Sequence, residues 1–380
     1  MSTPEIADLL RELLAAGELI ASKEQWKVVN DIMNCRTAVL GGQLYRCSSC
    51  GKEEPRYHSC RNRHCPKCQG EASAKWLDER MEELLPVPYF HAVFTIPHEL
   101  NGIVLQNREQ LLNIFFRSVT KTLTDVAKTR LGGEIGFISV LHTWGQKLEA
   151  HPHIHCVVPG AIIENDGNIK RADENYLLPK KVLSIVFRAV FIKALVKAFK
   201  KGCLEFHGNQ TALAQPSAFF ALIKVIKAKH WLVYLKNPFS GPSTVLKYLA
   251  RYTHRVGISN SRILKAKNGT VTFAYKDYVD NCQKKYCTLL ISEFTRRFLL
   301  HVLPHHFVRI RHCGFLSPGK RTKAIAQIKE ILGTCDLPAQ TPGSALVCIH
   351  CGASPLTCIR KISPLIGSRA HRTKILPLVA

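Results

Sequence analysis

An α+β protein is what this sequence predicts, with a cysteine-rich module ahead of a sheet that carries helices on one face. Strand-like apolar runs and amphipathic helices alternate irregularly from residue 86 onward, which argues for a mixed sheet, α/β or α+β, rather than a helical bundle. Asn268-Gly269, flanked by alternating runs, marks a two-residue hairpin. Cysteine and histidine crowd into residues 35–68, where a separate small module is expected.

Three regions follow: residues 1–80, 86–330 and a proline-richer basic tail, 334–380. At the start, Thr3 is placed to cap a helix with Pro4 in its first turn and Ile6, Leu9, Leu10 and Leu13 on one face. In the central region, residues 89–96 form a strand and 107–130 a long helix that ends before Gly132-Gly133. Strands follow at 135–142 and 153–163, the second turning at Asn165-Asp166-Gly167-Asn168. Residues 187–200 have helical periodicity closed by Gly202, and 231–235 are strand-like. Ser243 opens a short helix through Tyr252; strands at 258–266 and 270–275 flank the hairpin; a helix at 292–303 stops at Pro304.

Composition bounds the partners. With 46% apolar and 21% charged residues the chain is globular, and 53 basic against 28 acidic residues leave a net charge of +25. That field attracts polyanions, so nucleic acid is the expected partner, a merely basic ribosome-associated protein being the alternative. No stretch approaches the roughly 20 apolar residues of a membrane span. The start Met1-Ser2-Thr3-Pro4-Glu5 lacks the basic flank and apolar run of a secretion signal. Fifteen cysteines, several in Cys-x-x-Cys pairs among histidines, therefore point to metal binding in a reducing cytoplasm rather than to disulfides.

Cys47-Ser48-Ser49-Cys50 and Cys65-Pro66-Lys67-Cys68, separated by residues 51–64, are paired knuckles. Each can give two thiolates, and together they complete the tetrahedral shell of one structural Zn2+. Cys35, His58, Cys60 and His64 are interleaved with them and form a second site, replace a member of the first, or pack. Arg61, Arg63 and Lys67 put positive charge on this loop, suited to phosphate contact, the plainer alternative being a solvated face.

The most informative run is His151-Pro152-His153-Ile154-His155-Cys156. On a strand, His153 and His155 face the same side, and two imidazoles with a third ligand can hold a divalent ion with positions open to phosphate and water. His151, His142 and Gln146 are rivals for that third place; a histidine-lined strand without metal is the plainer reading. Tyr248 and Tyr252, four apart, share a helix face about 6 Å apart along the axis, with Arg251 and Arg255 at matching spacing. A phenolate aimed at a metal-held phosphate is a competent nucleophile.

These residues resemble the HUH endonucleases, which carry two histidines around a bulky apolar residue, as in His153-Ile154-His155, and one or two helical tyrosines. Nearly the whole chain resembles two-tyrosine HUH transposases of the insertion-sequence-ninety-one type. The match runs through His58 to Cys68, Phe94-Thr95-Ile96-Pro97-His98-Glu99-Leu100, Leu141-His142-Thr143-Trp144-Gly145-Gln146, His151 to Gly160, Tyr248 to Ile258, and Arg309-Ile310-Arg311-His312-Cys313-Gly314-Phe315. The resemblance implies a ferredoxin-like sheet with His153 and His155 on a central strand holding Mg2+ or Mn2+. Tyr248 and Tyr252 are then the nucleophiles, leaving a 5′-phosphotyrosine on single-stranded DNA, with the zinc module, Arg251 and Arg255 on the DNA. It also implies rolling-circle transposition in a prokaryotic cytoplasm, beside the nucleoid, at single-stranded or hairpin element ends. A replication initiator or relaxase keeps the chemistry with a different biology, and a non-catalytic zinc-dependent regulator drops it. Two departures stand: Gly160-Ala161 where the family often pairs glycines, and a tail Cys348-Ile349-His350-Cys351 with Cys335 and Cys358 near it in sequence, a possible minor knuckle.

Overall fold

In the computed structural model, residues 3–174, 177–236, 244–245, 257–335 and 346–365 are described. Helix α1 (Ile6–Ala15) begins later than Thr3: the Glu5 N–H donates to the Asp8 carboxylate at 2.9 Å, so Glu5 and Asp8 start the helix. Its buried side chains include the expected Ile6, Leu9, Leu10 and Leu13. Helix α2 (Lys23–Asn34) is capped by Ser22, which exchanges hydrogen bonds with Gln25 in a capping box. A hairpin, β1 (Gly42–Cys47) and β2 (Glu53–Tyr57), carries the first knuckle at its turn. Helix α3 (Pro66–Met81) opens at the second knuckle, with Cys65 at its N-cap and Pro66 in the first turn.

The central sheet starts at β3 (Tyr89–Thr95). Helices α4 (Asn101–Gln106) and α5 (Arg108–Leu131) follow, and Gly132, at φ 79°, ends α5 in the left-handed cap conformation glycine favours. The strand expected at 135–142 divides into β4 (Gly133–Ile135) and β5 (Phe137–Trp144). The run expected at 153–163 divides at Gly160 into β6 (Ala150–Pro159) and β7 (Ala161–Glu164). Gly160 donates to the Pro88 carbonyl at 2.7 Å, and a side chain there would begin 3.0 Å from that oxygen, so the chain turns out of the main sheet at this point. β7 pairs with β4 and with β8 (Ile169–Arg171) in a small separate sheet. Helices α6 (Lys180–Lys200) and α7 (Pro216–Ala228) lead to β9 (Val233–Lys236).

All neighbours in the sheet are antiparallel, in the order β13-β5-β6-β3-β9, where β13 (Ile310–Cys313) joins beyond β5. Strands β3, β5, β6 and β9, with helices after the first and third, make a ferredoxin-like βαββαβ unit. Alternation along the strands then separates two faces. Phe90, Ala92, Phe94, Phe137, Leu141, Ile154, Cys156 and Val158 lie in the main core with residues of α5 and α6 such as Phe115 and Phe187. The opposite parity carries His91, His142, His153 and His155, and lower down Ile138, Val140 and Val157, which pack with Met81, Ile325, Ile328 and Val245.

Strands β10 (Ile263–Lys267), β11 (Thr270–Asp277) and β12 (Gln283–Leu290) form a meander, with Asn268 and Gly269 both at positive φ as the hairpin signal requires. Together with α8 (Ile291–Leu299) it packs on α1 and α2 around Phe273, Phe294 and Phe298. Helix α9 (Arg321–Leu332) covers the lower half of the histidine-bearing face through Ile325 and Ile328. The tail does not stand apart, as its separate composition suggested: β14 (Leu356–Ile362) pairs antiparallel with β1 and completes a three-stranded sheet with the first knuckle. Among the described residues no helix is long and apolar enough to cross a membrane.

Candidate active site and metal centres

Three imidazoles meet on one face of the sheet because β5 and β6 are in register there. His142 lies directly opposite His153, and His155 is two residues further along the same strand. The donor nitrogens of His142, His153 and His155 all fall within 4.8 Å of one another. His142 and His155 are buried, while His153 is half-buried and gives the group its open side. The rings are held from behind. His153 Nδ1 donates to the His151 carbonyl at 2.6 Å, which leaves Nε2 with the lone pair. His155 Nδ1 is 2.9 Å from His91 Nε2, with the two rings stacked, and His142 stacks on Trp144 at 4.8 Å between centroids. Ring nitrogens fixed by partners on their far side are the pattern of metal-binding histidines, so the donor set fits a divalent ion with open positions.

Of the three rivals for the third place, His142 is the one this register brings to His153 and His155. His151 contributes its carbonyl to His153 and keeps an exposed ring outside the trio. Gln146 is engaged elsewhere, accepting the Lys276 N–H at 3.3 Å and donating to the Tyr278 hydroxyl at 3.4 Å. Tyr248, Arg251, Tyr252 and Arg255 lie outside the described residues. Their described flanks both lie on the histidine side of the sheet. Val245 is buried with Ile138, Val140 and Val157. A Cβ on Gly257 would be 3.0 Å from Leu148 and 3.9 Å from Trp144. His301 lies beneath: its Nε2 donates to the Leu148 carbonyl at 3.0 Å, so its Nδ1 accepts from the Thr143 hydroxyl at 3.1 Å. Burial pushes this imidazole down to about 4, and Arg108 adds to the effect.

The cysteines sort differently from the single four-cysteine site expected from Cys47, Cys50, Cys65 and Cys68. Cys65 and Cys68, at the start of α3, meet Cys35 from the end of α2 and Cys60. Cys47 and Cys50, at the far end of the β1–β2 hairpin, meet Cys348 and Cys351 instead. The strands of that hairpin carry the first knuckle away from α3, and the expected set is never assembled. In the first group, Cys68 Sγ is 3.5 Å from Cys35 Sγ and 3.6 Å from Cys60 Sγ. A tetrahedron with zinc–sulfur arms of about 2.3 Å has edges of about 3.8 Å, whereas a disulfide would bring the sulfurs to about 2.05 Å. The spacing fits a four-thiolate zinc site. His58 and His64 stand outside both groups. His58 is exposed; His64 is buried beside Arg309 and Arg63, and burial first, then those charges, pushes it down to about 3.

Residues 7–96 match a family described as "Transposase zinc-binding domain", and residues 136–324 one described as "Putative transposase". "Putative transposase y4qJ" of Sinorhizobium fredii is 44% identical over 347 residues, 90% of this chain and 87% of that one. The transposase for insertion sequence element IS801 of Pseudomonas savastanoi pv. phaseolicola is 28% identical over 320 residues, 83% of this chain and 76% of that one. The chain belongs to the insertion-sequence-ninety-one family of transposases. Among solved structures, the conjugative relaxase TrwC, determined with oriT DNA and without metal, overlaps 43% of this transposase and 71% of its own chain at 14% identity, with a TM-score of 0.24.

The cations of the transposase's zinc loop divide by what they touch. Arg63 donates to the carbonyls of Phe307 and, at 2.9 Å, Pro304, and burial lowers its pKa; it braces the loop on the segment after α8. Lys67 pairs with Glu5 at 2.5 Å. Arg61 is exposed, at φ 53°. The β11–β12 hairpin presents a surface that sequence reading missed. Tyr278 and Tyr286 are 64% and 61% exposed, Lys284 lies 5.9 Å from the Tyr286 ring, and Lys147, in the turn after β5, lies 4.6 Å from that of Tyr275. The three tyrosines and three lysines within residues 275–286 were the available signal.

Proposed function

We propose that this transposase nicks and rejoins single-stranded DNA at element ends through a 5′-phosphotyrosine, moving its element by a rolling-circle route. The observation that carries the reading is the convergence of His142, His153 and His155 on the side of the sheet where both described flanks of the Tyr248–Tyr252 segment pack. A divalent ion, when bound, polarises the scissile phosphate and offsets the charge of its transition state. His91 and the His151 carbonyl keep the nitrogens of His155 and His153 aimed for that task. Three nitrogen donors suit a first-row transition ion better than magnesium, which favours oxygen, so Mn2+ is the better activator of the two.

The chemistry balances without an external energy source. The phenol of Tyr248 or Tyr252 loses its proton and its oxygen bonds to phosphorus. The P–O3′ bond breaks, and the 3′ oxygen takes up a proton. Reversal by a 3′-hydroxyl restores the diester and the tyrosine, so the bond energy is retained throughout. Two tyrosines allow one end to stay bound while a second strand is opened. The exposed tyrosines and lysines of the β11–β12 hairpin offer faces for unpaired bases and charges for phosphates. Arg61, Arg251 and Arg255 are the further phosphate contacts in this reading.

Incubation of the full chain with single-stranded element ends and Mn2+, followed by a denaturing gel, tests the proposal. A slower covalent species is expected, together with joined product when two ends are supplied. Combining Tyr248→Phe with Tyr252→Phe should abolish the species while DNA binding persists. Adducts surviving in that variant would sink the tyrosine assignment. Nicking without joining would favour an initiator, and binding with no adduct from the unaltered chain a regulator.

A further inference from the structure

The tail of the chain repeats the architecture of the first knuckle. In each, a Cys-x-x-Cys is followed by a glycine at positive φ, 67° for Gly51 and 73° for Gly352. The glycine N–H donates to the carbonyl of the first cysteine, Gly51 to Cys47 and Gly352 to Cys348, both at 2.9 Å. The first cysteine's own N–H closes the loop on the residue after the glycine, Cys47 to Lys52 at 3.0 Å and Cys348 to Ala353 at 2.8 Å. Two like turns thus face each other, with Cys47 Sγ 3.6 Å from Cys351 Sγ and Cys50 Sγ 3.7 Å from Cys348 Sγ. These are the edges of a four-thiolate tetrahedron and far exceed a disulfide.

The surrounding sheet gives the reason for an ion. No residue of β14 is buried, although the strand pairs with β1 from Cys47↔Leu356 to Gly42↔Ile362. A three-stranded sheet with so little apolar burial is not self-supporting in water, and another source of attachment is required. Glu54, buried on β2, supplies a minor one: its carboxylate accepts the Ile349 N–H at 2.9 Å and pairs with Arg56 at 2.5 Å.

We propose that Cys47, Cys50, Cys348 and Cys351 hold a second zinc ion, which closes a zinc ribbon split between the two ends of the chain and clasps the C-terminal strand. The matched zinc-binding family covers residues 7–96 and so does not reach its C-terminal half. The clasp stands or falls independently of the nuclease chemistry, because neither tyrosine nor histidine takes part in it.

Metal analysis of the full chain, purified without chelator, tests it. Two zinc ions per chain are expected, falling to one in Cys348→Ser/Cys351→Ser, where trypsin should cut at Arg360 or Lys361 before the body of the protein. A single zinc in the unaltered chain, two in the variant, or iron in place of zinc would overturn the assignment. Should the variant fail to fold, the unaltered chain still decides. Graded chelation should release zinc together with tryptic sensitivity of the tail, and a tail still protected after all zinc is withdrawn would refute the clasp.

Discussion

At the scale of the residue, the clustered histidines of β5 and β6 matter less alone than through what stands behind them. His91 touches His155 through a nitrogen at 2.9 Å and is itself buried on β3, so it acts as a positioning residue. His91→Ala should raise the Mn2+ concentration needed for half-maximal adduct formation about 10–100-fold, as loss of an outer partner commonly does, with saturating metal restoring much of the yield. An unchanged metal dependence would remove His91 from the site. His153→Ala, by contrast, should abolish the adduct at any Mn2+ concentration. A second prediction concerns His301. Its folded pKa is about 4 against an ordinary 6.5. The unfolded chain therefore takes up this proton first, and the stabilisation is full above about pH 6.5 and is lost as pH falls towards 4, a span worth about 3 kcal/mol. Urea unfolding at about pH 7.5 and about pH 5 should show the loss, and His301→Gln should reduce the difference between the two.

Secondary-structure elements are joined here at a few close approaches, and Gly314 makes the tightest of them. Its φ is 61°, and a Cβ there would fall 1.8 Å from the Ile135 carbonyl oxygen, at the junction of β4, β5 and β13. Gly314→Ala should cost about 3 kcal/mol or more, combining left-handed strain of about 1–2 with overpacking of about 1–3. Gly269→Ala, at φ 69° with open space around it, should cost only the first part. Equal losses in urea melts would show that strain alone governs both. Elements of this kind were legible where local pattern decides them: β3, α5, β5 and the Asn268-Gly269 hairpin follow from apolar periodicity and turn chemistry. Helix α3 escaped notice because it buries only Cys68, Gln69 and Met81, leaving no apolar stripe to read. That His142 and not Gln146 lies beside His153 also escaped, since it depends on which residue of β5 faces His153, a cross-strand register that spacing along the chain does not encode. The cysteine partners were hidden for the same reason on a longer scale, because Cys47 meets Cys351 only once β14 has returned to β1.

Across the whole molecule the net charge of +25 was readable at once, but the surface it acts on was not. Several cations that look available in the sequence are used inside the fold. Arg63 and Arg108 donate to backbone carbonyls, Arg309 is buried against Gln69, and Lys67 is paired with Glu5. Beside the turn after β5 stands the β11–β12 hairpin, whose Lys276 and Lys284 are exposed and opposite one another, with the Lys276 N–H bonded to Gln146 in that turn. The salt dependence of DNA binding should report this division. If about six phosphates are neutralised, affinity for a single strand should fall with a log–log slope of about −4 in salt concentration. Lys276→Gln with Lys284→Gln should make that slope shallower by about 1.4, as two contacts on a single strand imply, and weaken binding alike for all sequences. Arg63→Gln should leave the slope unchanged and lower thermal stability instead, because it removes a brace from two carbonyls and not a phosphate contact. A slope that responds to Arg63 and ignores the two lysines would move the DNA off the hairpin and onto the zinc loop.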